Sequence, residues 1–524
     1  MTGMLQMLMP NILTTLIFLP LAGVFVLFFL PKGDHRLLRD FTFFVTFVEF
    51  LLSLPVAVGF QAGVAGMQFA VKVPWLPQYG ISYSVGVDGI SLWLVMLTTF
   101  LMPITILSTY TAIEKHVKEF MVFMLLLEVG MVGVFLAVDL FLFYIFWELV
   151  LIPMYFLIGV WGHDRKIYSA VKFFIYTFAG SVLMLVAIIA LYFHHHAVTG
   201  VYSTDLLAMY ALDIPVKLQF WMFAAFALAF AFKVPMFPFH TWLPDAHVDA
   251  PTAGSVILAA VLLKMGTYGF LRFAMPLFPV AAFDFMPLIA FLAVVGIIYG
   301  ALVAMVQKDI KKLVAYSSVS HLGFVMLGLF AMNVQGIEGG ILQMVNHGIS
   351  TGALFLIVGI IYERRHTRLI SEFGGISKVV PLFAVAFMIV TLSSIGLPGT
   401  NGFVGEFLIM IGAFKPLKWY TVFAASGVIF AAVYMLWMFQ RVMFGKVTNE
   451  KNRGLADLCG REIAYLLPLI VVIFWIGVYP QTFLRKMDAS VGAVVSRMES
   501  KRHAALSGSP PGETLLARYF DVRK

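Results

Sequence analysis

Four ionisable residues stand in stretches too apolar to solvate them. Glu148 lies in FLFYIFWELVLIPMYFLIG, Lys264 in GSVILAAVLLKMGTYGFL, Lys233 beside Pro235 in AFKVPMFPFH, and Glu406 near the end of IGLPGTNGFVGEF. An ionisable group at the middle of a bilayer costs at least ~2.5 kcal/mol even on the lenient insertion scale, so each such residue points to a function. Acids and bases on separate apolar segments suit the movement of protons. A lysine relays a proton only if it can release it near neutral pH, which takes about 4–5 kcal/mol of differential stabilisation relative to water. Burial supplies effects of that size, and a nearby carboxylate opposes them. Glu148 and Lys233 therefore read as a switchable pair, with a static buried ion pair joining two helices as the bland alternative. His240, His321 and His347 are candidate relay stations, because histidine titrates near physiological pH and offers two nitrogens. A hydrogen-bonded structural role is equally open to each.

Other polar residues carry weaker signals. Glu49 and Glu128 also fall within apolar stretches, and the sequence assigns them no role. Asp88 and Asp139 lie near expected helix starts, where a carboxylate stabilises the helix N-terminus. Ser317, Ser318 and Ser320 beside His321 either hold waters or cap local carbonyls. Lys311 and Lys312 follow Asp309 in a loop, so solvated charge is their default reading. The triplet His194, His195 and His196 invites a metal, but adjacent histidines at a helix end more often mark the membrane interface. With one cysteine, Cys459, the chain has no cysteine-based zinc site, no four-thiolate cluster and no intrachain disulfide. It has no Gly-rich phosphate loop or dinucleotide fingerprint. No metal or cofactor is expected on it.

The elements that must position these residues are membrane helices. Apolar residues make up 61% of the chain and charged residues 12%, with a mean hydropathy of +0.96. Soluble domains carry roughly 25% charged residues, so the natural solvent for this chain is lipid. The formal charge of +8 reflects basic loops against anionic lipid rather than a nucleic-acid footprint. Windows of about 20 apolar residues number about fourteen, centred near Ile17, Val48, Met96, Val129, Leu151, Met184, Phe226, Val261, Val295, Met326, Leu354, Val390, Phe430 and Val472. Residues 11–30 lack a basic leader and read as a retained helix. The segments 61–86 and 199–215 read as extramembrane connections, the first extended.

Lys and Arg concentrate in the loops after odd-numbered helices, such as Lys32, Arg36 and Arg39, or Arg364, Arg365 and Arg368. Even loops hold few, such as Lys72, Lys217 and Arg272. The positive-inside rule makes the odd loops cytoplasmic and the N-terminus external. Fourteen helices then put the C-terminus outside, which the basic tail (Arg485, Lys486, Arg497, Lys501, Arg502) contradicts. Residues 1–480 are expected to form one transmembrane domain, and 481–524 a basic extramembrane tail. Prolines interrupt two helices, the seventh at Pro235 and Pro238 and the twelfth at Pro398. Interrupted helices in corresponding positions point to a transport site at an internal repeat. A five-helix unit repeated in tandem inverts in the membrane, because five is odd.

Several long motifs carry a family resemblance. FKVPMFPFHTWLPDAHVDAPTAGSVILAAVLLK, QKDIKKLVAYSSVSHLGF and GLPGTNGFVGEF, with WELVLIPMYFLIGVWG and NHGIS, resemble in order the signature segments of the proton-translocating, antiporter-like subunits of respiratory complex I, the NADH:quinone oxidoreductase. The resemblance runs from about residue 87 to about residue 445. It implies an all-α fold of fourteen helices, with inverted repeats in helices 4–8 and 9–13 and breaks in helices 7 and 12. It also implies a proton path on a central hydrophilic axis. By position, Glu148 and Lys233 match the family's functional pair and Lys264 its central lysine. His321 and His347 match polar axis positions, and Glu406 the exit-side residue. The glutamate at 406, where the L and N types usually carry lysine, resembles the M type. The implied partners are the neighbouring L-type and N-type subunits and phospholipids. FMN, iron–sulfur clusters and quinone are implied on other subunits, and the location is a bacterial inner membrane. The alternative is a subunit of a multisubunit cation/proton antiporter of the same fold.

Overall fold

The computed structural model describes residues 11–507, so the last part of the expected tail, 508–524, lies outside the described residues. Thirteen described helices are long and apolar enough to cross a membrane. They are α1 (Ile12–Phe29), α2 (His35–Gly59), α3 (Leu92–Ala112), α4 (Val117–Leu136), α5 (Leu140–Trp161), α6 (Lys166–Thr199), α7 (Val216–Lys233), α8 (Thr252–Leu277), α9 (Pro279–Met305), α10 (Ile310–Leu329), α11 (Val334–Arg365), α13 (Lys418–Met443) and α14 (Gly460–Val478). Two shorter apolar helices, α12a (Pro381–Ser394) and α12b (Asn401–Phe414), fall between α11 and α13. Counted as one interrupted crossing, they bring the total to fourteen. Each centre expected from hydropathy falls inside one of these helices.

Burial sorts the helices. The apolar windows of α8 and α11 are 100% buried and those of α3 and α10 are 89% buried, against 33% for α2 and α14. A helix apolar on every side belongs inside a bundle. The four central helices are thus a protein interior where polar side chains can be satisfied by neighbours instead of lipid. Capping carboxylates and amides fix several starts. Asp139 accepts from the amides of Phe141 and Leu142 at 2.9 and 3.1 Å. Asp309 accepts from Lys312 at 3.1 Å, and Asn333 from Gly336 at 2.9 Å. Asp88 accepts from Ile90 and Ser91 at 3.0 and 3.1 Å.

The connection between α2 and α3 is more ordered than the extended loop expected of it. It forms an antiparallel hairpin, β1 (Gln68–Leu76) and β2 (Ile81–Val87), with Val71 opposite Val85 and Val73 opposite Tyr83. Its turn residue Gly80 has φ +64°, and a Cβ there would lie 1.8 Å from the Tyr202 carbonyl oxygen. Glycine is required on both counts. The hairpin is held by the α6–α7 connection, where the Thr204 amide donates to the Gly80 carbonyl at 3.3 Å.

After α14 the chain turns into α15 (Gln481–Leu506). This helix lies against the ends of even-numbered crossings and the starts of those that follow. Ser490 accepts from the Gly89 amide at 3.0 Å, and the Trp93 indole donates to the Phe483 carbonyl at 3.1 Å. Four of its basic side chains reach onto the protein. Lys486 donates to the Ala57 carbonyl and Lys501 to the Leu212 carbonyl at 2.6 Å. Arg497 covers the Tyr210 ring at 4.5 Å, and Arg502 the Phe283 ring at 4.3 Å. The tail therefore sits with the even loops as a count of fourteen requires. Its charge, docked on carbonyls and rings, does not follow the loop pattern. Arg272, counted by sequence among loop charges, is instead buried near the end of α8. Its guanidinium grips Asp88 with two hydrogen bonds, at 2.5 and 2.8 Å.

Candidate functional site

Glu148, Lys233 and Lys264 sit at local departures from regular helix, whereas His321 and His347 lie within the uninterrupted helices α10 and α11. In α5 the residue after Leu149 breaks the helical run. Pro153 explains it, since proline has no amide to offer the Leu149 carbonyl and its ring crowds that group. Glu148 stands at this joint. Lys233 is the last residue of α7, where the chain turns through Pro235 and Pro238 into a short helix, Trp242–Asp249. The break frees backbone groups that lipid cannot satisfy. The Trp242 indole answers one by donating to the Phe232 carbonyl at 2.9 Å. Lys264 lies between two wide turns of α8, Leu258–Leu262 and Phe270–Ala274, where amides bond carbonyls five residues back. Such π-turns recur at functional sites. The Leu258–Leu262 turn leaves the Ala259 carbonyl accepting from Lys264 Nζ at 2.5 Å.

Four of the seven candidates form a connected line at the centre of the bundle. Lys264 Nζ is 2.6 Å from His347 Nδ1. The His347 and His321 ring centroids are 5.8 Å apart. His321 Nδ1 is 2.8 Å from Glu406 Oε1, which also accepts from Gln343 Nε2 at 3.0 Å. All are buried. Beside the two histidines lies a cavity of about 10 Å³, lined by Gln343, Asn346, Ser350 and Ser393 among others, which is room for about one water molecule. His347 Nε2 is buried without a partner.

The break between α12a and α12b is closed by this same polar group. Gly396 (φ +75°) and Gly399 (φ +90°) make the left-handed turns. Ser393 donates to Asn401 Oδ1 at 2.5 Å, and Asn346 Nδ2 donates to the Asn401 carbonyl at 2.7 Å. Neither Gln343, Asn346 nor Asn401 was singled out from sequence, because amides within apolar runs carry no charge signal.

Glu148 and Lys233 face each other without touching. Lys233 Nζ and Glu148 Oε1 are both buried and have no hydrogen-bond partner. Each nonetheless lies within the other's electrostatic reach. Lys233 Nζ sits 5.1 Å from the centroid of the Trp147 ring, an arrangement that stabilises a cation away from water. Tyr144, one turn before Glu148, flanks the carboxylate. Lys233 has no direct contact with Lys264.

His240 is placed apart from the line. It lies in the α7 break against Phe237 and Tyr299, with ring centroids at 5.7 and 5.1 Å, and its Nδ1 is unpartnered. His247, seven residues on, is closer to the axis and was missed by the sequence reading. It is fully buried, stacked on Phe355 at 4.6 Å, with both nitrogens unpartnered and Lys264 and Lys311 as its charged neighbours. Lys311 departs from its default reading as solvated charge. It is buried, and its ammonium donates to the Ala250 carbonyl at 2.6 Å, where a cation complements the end of the Trp242–Asp249 helix. On the loop side of this group a cleft of about 570 Å³ is lined by Trp161, His163, Thr252, Glu363 and His366. His163, outside the membrane-spanning segments, has its pKa lowered to about 4 by burial and then by Lys311 and Arg368.

The serines beside His321 cap backbone. Ser317 and Ser318 donate to the Val314 carbonyl, and Ser320 to the Ile297 carbonyl. In the histidine triplet, His195 Nδ1 contacts the Val201 carbonyl oxygen at 2.8 Å and His196 stacks on Tyr202 at 3.9 Å. Among the described residues no group of His, Cys, Asp and Glu is arranged to hold a metal.

The likeness to known proteins spans nearly the whole chain. The family described as NADH:quinone oxidoreductase/Mrp antiporter, TM, matches residues 137–444. A Rhodobacter capsulatus protein named NADH-quinone oxidoreductase subunit M is 48% identical over 504 residues, 93% of this chain and 97% of the relative. A Chondrus crispus protein named NADH-ubiquinone oxidoreductase chain 4 is 44% identical over 487 residues, with the same coverage of 93% and 97%. Among solved structures, a chain of respiratory complex I from Thermus thermophilus with bound NADH superposes with a TM-score of 0.85 at 32% identity, covering 93% of this chain and 99% of that one.

Proposed function

The chain belongs to the subunit M and chain 4 family of NADH-quinone oxidoreductase, and from that membership we propose how its buried residues move protons. It is a multi-pass membrane-arm subunit of a proton-translocating complex, with no redox centre evident among its described residues. Its function is to couple quinone reduction elsewhere in the complex to proton transfer through its own side chains. FMN, iron–sulfur clusters and quinone belong to other subunits in this reading. The neighbours are antiporter-like subunits of the L and N types, with phospholipids around them. The N-terminus and the loops after even-numbered crossings face outside, α15 lies on that surface, and helices 4–8 and 9–13 are inverted repeats.

A proton loads onto Lys233 while Glu148 balances its charge. It passes to Lys264, a step that needs water because the two ammonium groups have no contact. From Lys264 it crosses the 2.6 Å contact to His347, then reaches His321 and leaves by Glu406. His240 serves the α7 break. His247 and Lys311 connect Lys264 towards the cleft at His163 on the cytoplasmic side. Moving one charge against 100 mV takes ~2.3 kcal/mol, so each cycle must shift the relay's proton affinities by a couple of pKa units.

The observation that carries this reading is the buried line from Lys264 through His347 and His321 to Glu406, closed by contacts at both ends and open only between the two histidine rings, 5.8 Å apart beside the small cavity. An apolar interior has no stability reason to hold such a line, because apolar packing is often as stabilising as a buried ion pair. The antiporter alternative is disfavoured by relatives that are 44–48% identical and named for NADH oxidoreductases. The test is NADH-driven proton pumping in membrane vesicles carrying Glu148→Gln or Lys233→Ala, with assembly checked in parallel. Loss of pumping in assembled complex supports the loading step, and normal pumping in both variants refutes it.

A further inference from the structure

Glu49 on α2 and Glu128 on α4 lie outside the axis described above. Both are fully buried, α2 packs against α4, and the two carboxyl groups are each other's hydrogen-bonding and electrostatic neighbours. Among the described residues none of their four oxygens has a hydrogen-bond donor, and the only charged group near each is the other.

The hydroxyls nearby do not change this. Thr42, Thr46 and Ser53 share the buried face of α2 with Glu49, but each already donates to a backbone carbonyl of its own helix: Leu38 at 2.8 Å, Phe43 at 3.1 Å and Phe50 at 2.7 Å. Thr99 on α3 contacts Ser53 at 2.9 Å and the Met96 carbonyl at 3.3 Å. As two carboxylates, the pair would hold acceptor against acceptor, with like charges, in a site that strips both of water. Buried charge of that kind is held only when it is paired or neutralised. One proton between them relieves the repulsion and leaves a single charge spread over both groups. It supplies the missing donor, removes one charge and makes a charge-assisted O–H···O bond between the two groups.

We propose that Glu49 and Glu128 form a carboxyl pair that binds and shares a proton inside the membrane, a second protonatable site separate from the lysine–histidine axis. The ligand is a proton rather than a metal ion. Two carboxylates alone fall short of the oxygen count that hard cations need, and the neighbouring hydroxyls point their protons at backbone. The pair links α2 to α4, so a displacement that parts these helices separates donor from acceptor and exposes the proton to exchange. The inference stands on this geometry and not on the relay order proposed above.

The test is infrared spectroscopy of the purified complex, comparing wild type with Glu49→Gln/Glu128→Gln at neutral pH, in buffers with and without sodium. The difference spectrum is expected to contain the C=O stretch of a protonated carboxylic acid, sensitive to deuterium oxide and indifferent to sodium. A difference made only of carboxylate bands overturns the proposal, and sodium sensitivity of those bands identifies a cation site instead. Should the double variant not assemble, Glu128→Gln alone decides. It is expected to shift the acid band, because the bonded carboxylate is replaced by an amide. An unchanged acid region overturns the pair.

Discussion

Removing one member of the Asp88–Arg272 pair should cost far more than removing both. The guanidinium donates through Nη1 and Nη2 to Asp88 at 2.8 and 2.5 Å and through Nε to the Tyr268 hydroxyl at 3.1 Å. Both side chains are buried, 3% and 4% exposed. Breaking a buried pair costs about 3–5 kcal/mol because an uncompensated charge stays behind, while apolar replacement of both is often neutral. The local geometry ranks the variants. In Arg272→Met, Asp88 keeps two backbone donors, Ile90 and Ser91, so the cost should fall near the lower end, about 3 kcal/mol. In Asp88→Asn the guanidinium keeps only Tyr268 and a neutral amide, and the cost should approach ~5 kcal/mol. In the double variant the Asn oxygen still accepts from the Ile90 and Ser91 amides and Met fills the space, so the cost should fall well below that of either single variant, because apolar replacement of both partners of a buried pair is often neutral. The assay is the fraction of complex surviving a heat step, read on native gels as a relative rate, because large assemblies unfold irreversibly. A double variant as labile as Asp88→Asn would refute the claim that charge compensation holds α8 against α3.

Two further outcomes follow from the same interior. Gly348, next to His347, has space for no side chain: a Cβ would lie 2.6 Å from Leu97 Cδ2 and 3.0 Å from the Ala260 carbonyl oxygen. Gly348→Ala should destabilise by about 1–3 kcal/mol and slow pumping by moving His347 from Lys264, and wild-type pumping rates in the variant would contradict this. His163 takes up a proton in the unfolded chain below pH 6.5 but in the folded protein only near pH 4. Stability should therefore be flat above pH 6.5 and fall as pH drops from there towards 4. Thermal scans at pH 7 and 5 should show a smaller drop for His163→Gln, and an equal drop would show that other groups govern acid lability.

Hydropathy and proline carried most of the fold, because apolar runs of about 20 residues span lipid as helices and proline marks where those helices fail. What stayed hidden depends on pairing across long separations. The hairpin of residues 68–87 looked merely extended, since its register and its glycine turn are fixed by residue 202 and its neighbours. Lys311 looked solvated because its burial comes from the Ala250 carbonyl, 61 residues away. His247 sat in a motif whose charges drew attention elsewhere, and its place near Lys264 appears only once the Trp242–Asp249 helix packs inward. Glu49 and Glu128 were visible singly, but not as neighbours 79 residues apart.

The central claim is that protons cross by way of Lys264 and His347. The most direct measurement is NADH-driven pumping in vesicles carrying Lys264→Met, with assembly of the complex and NADH oxidation recorded in the same preparation. The account predicts a fully assembled complex whose pumping and coupled oxidation are both strongly reduced, because the variant keeps the side-chain volume and removes the ammonium group that lies 2.6 Å from His347 Nδ1. Pumping at the wild-type rate in assembled complex would contradict it and move the path off this line.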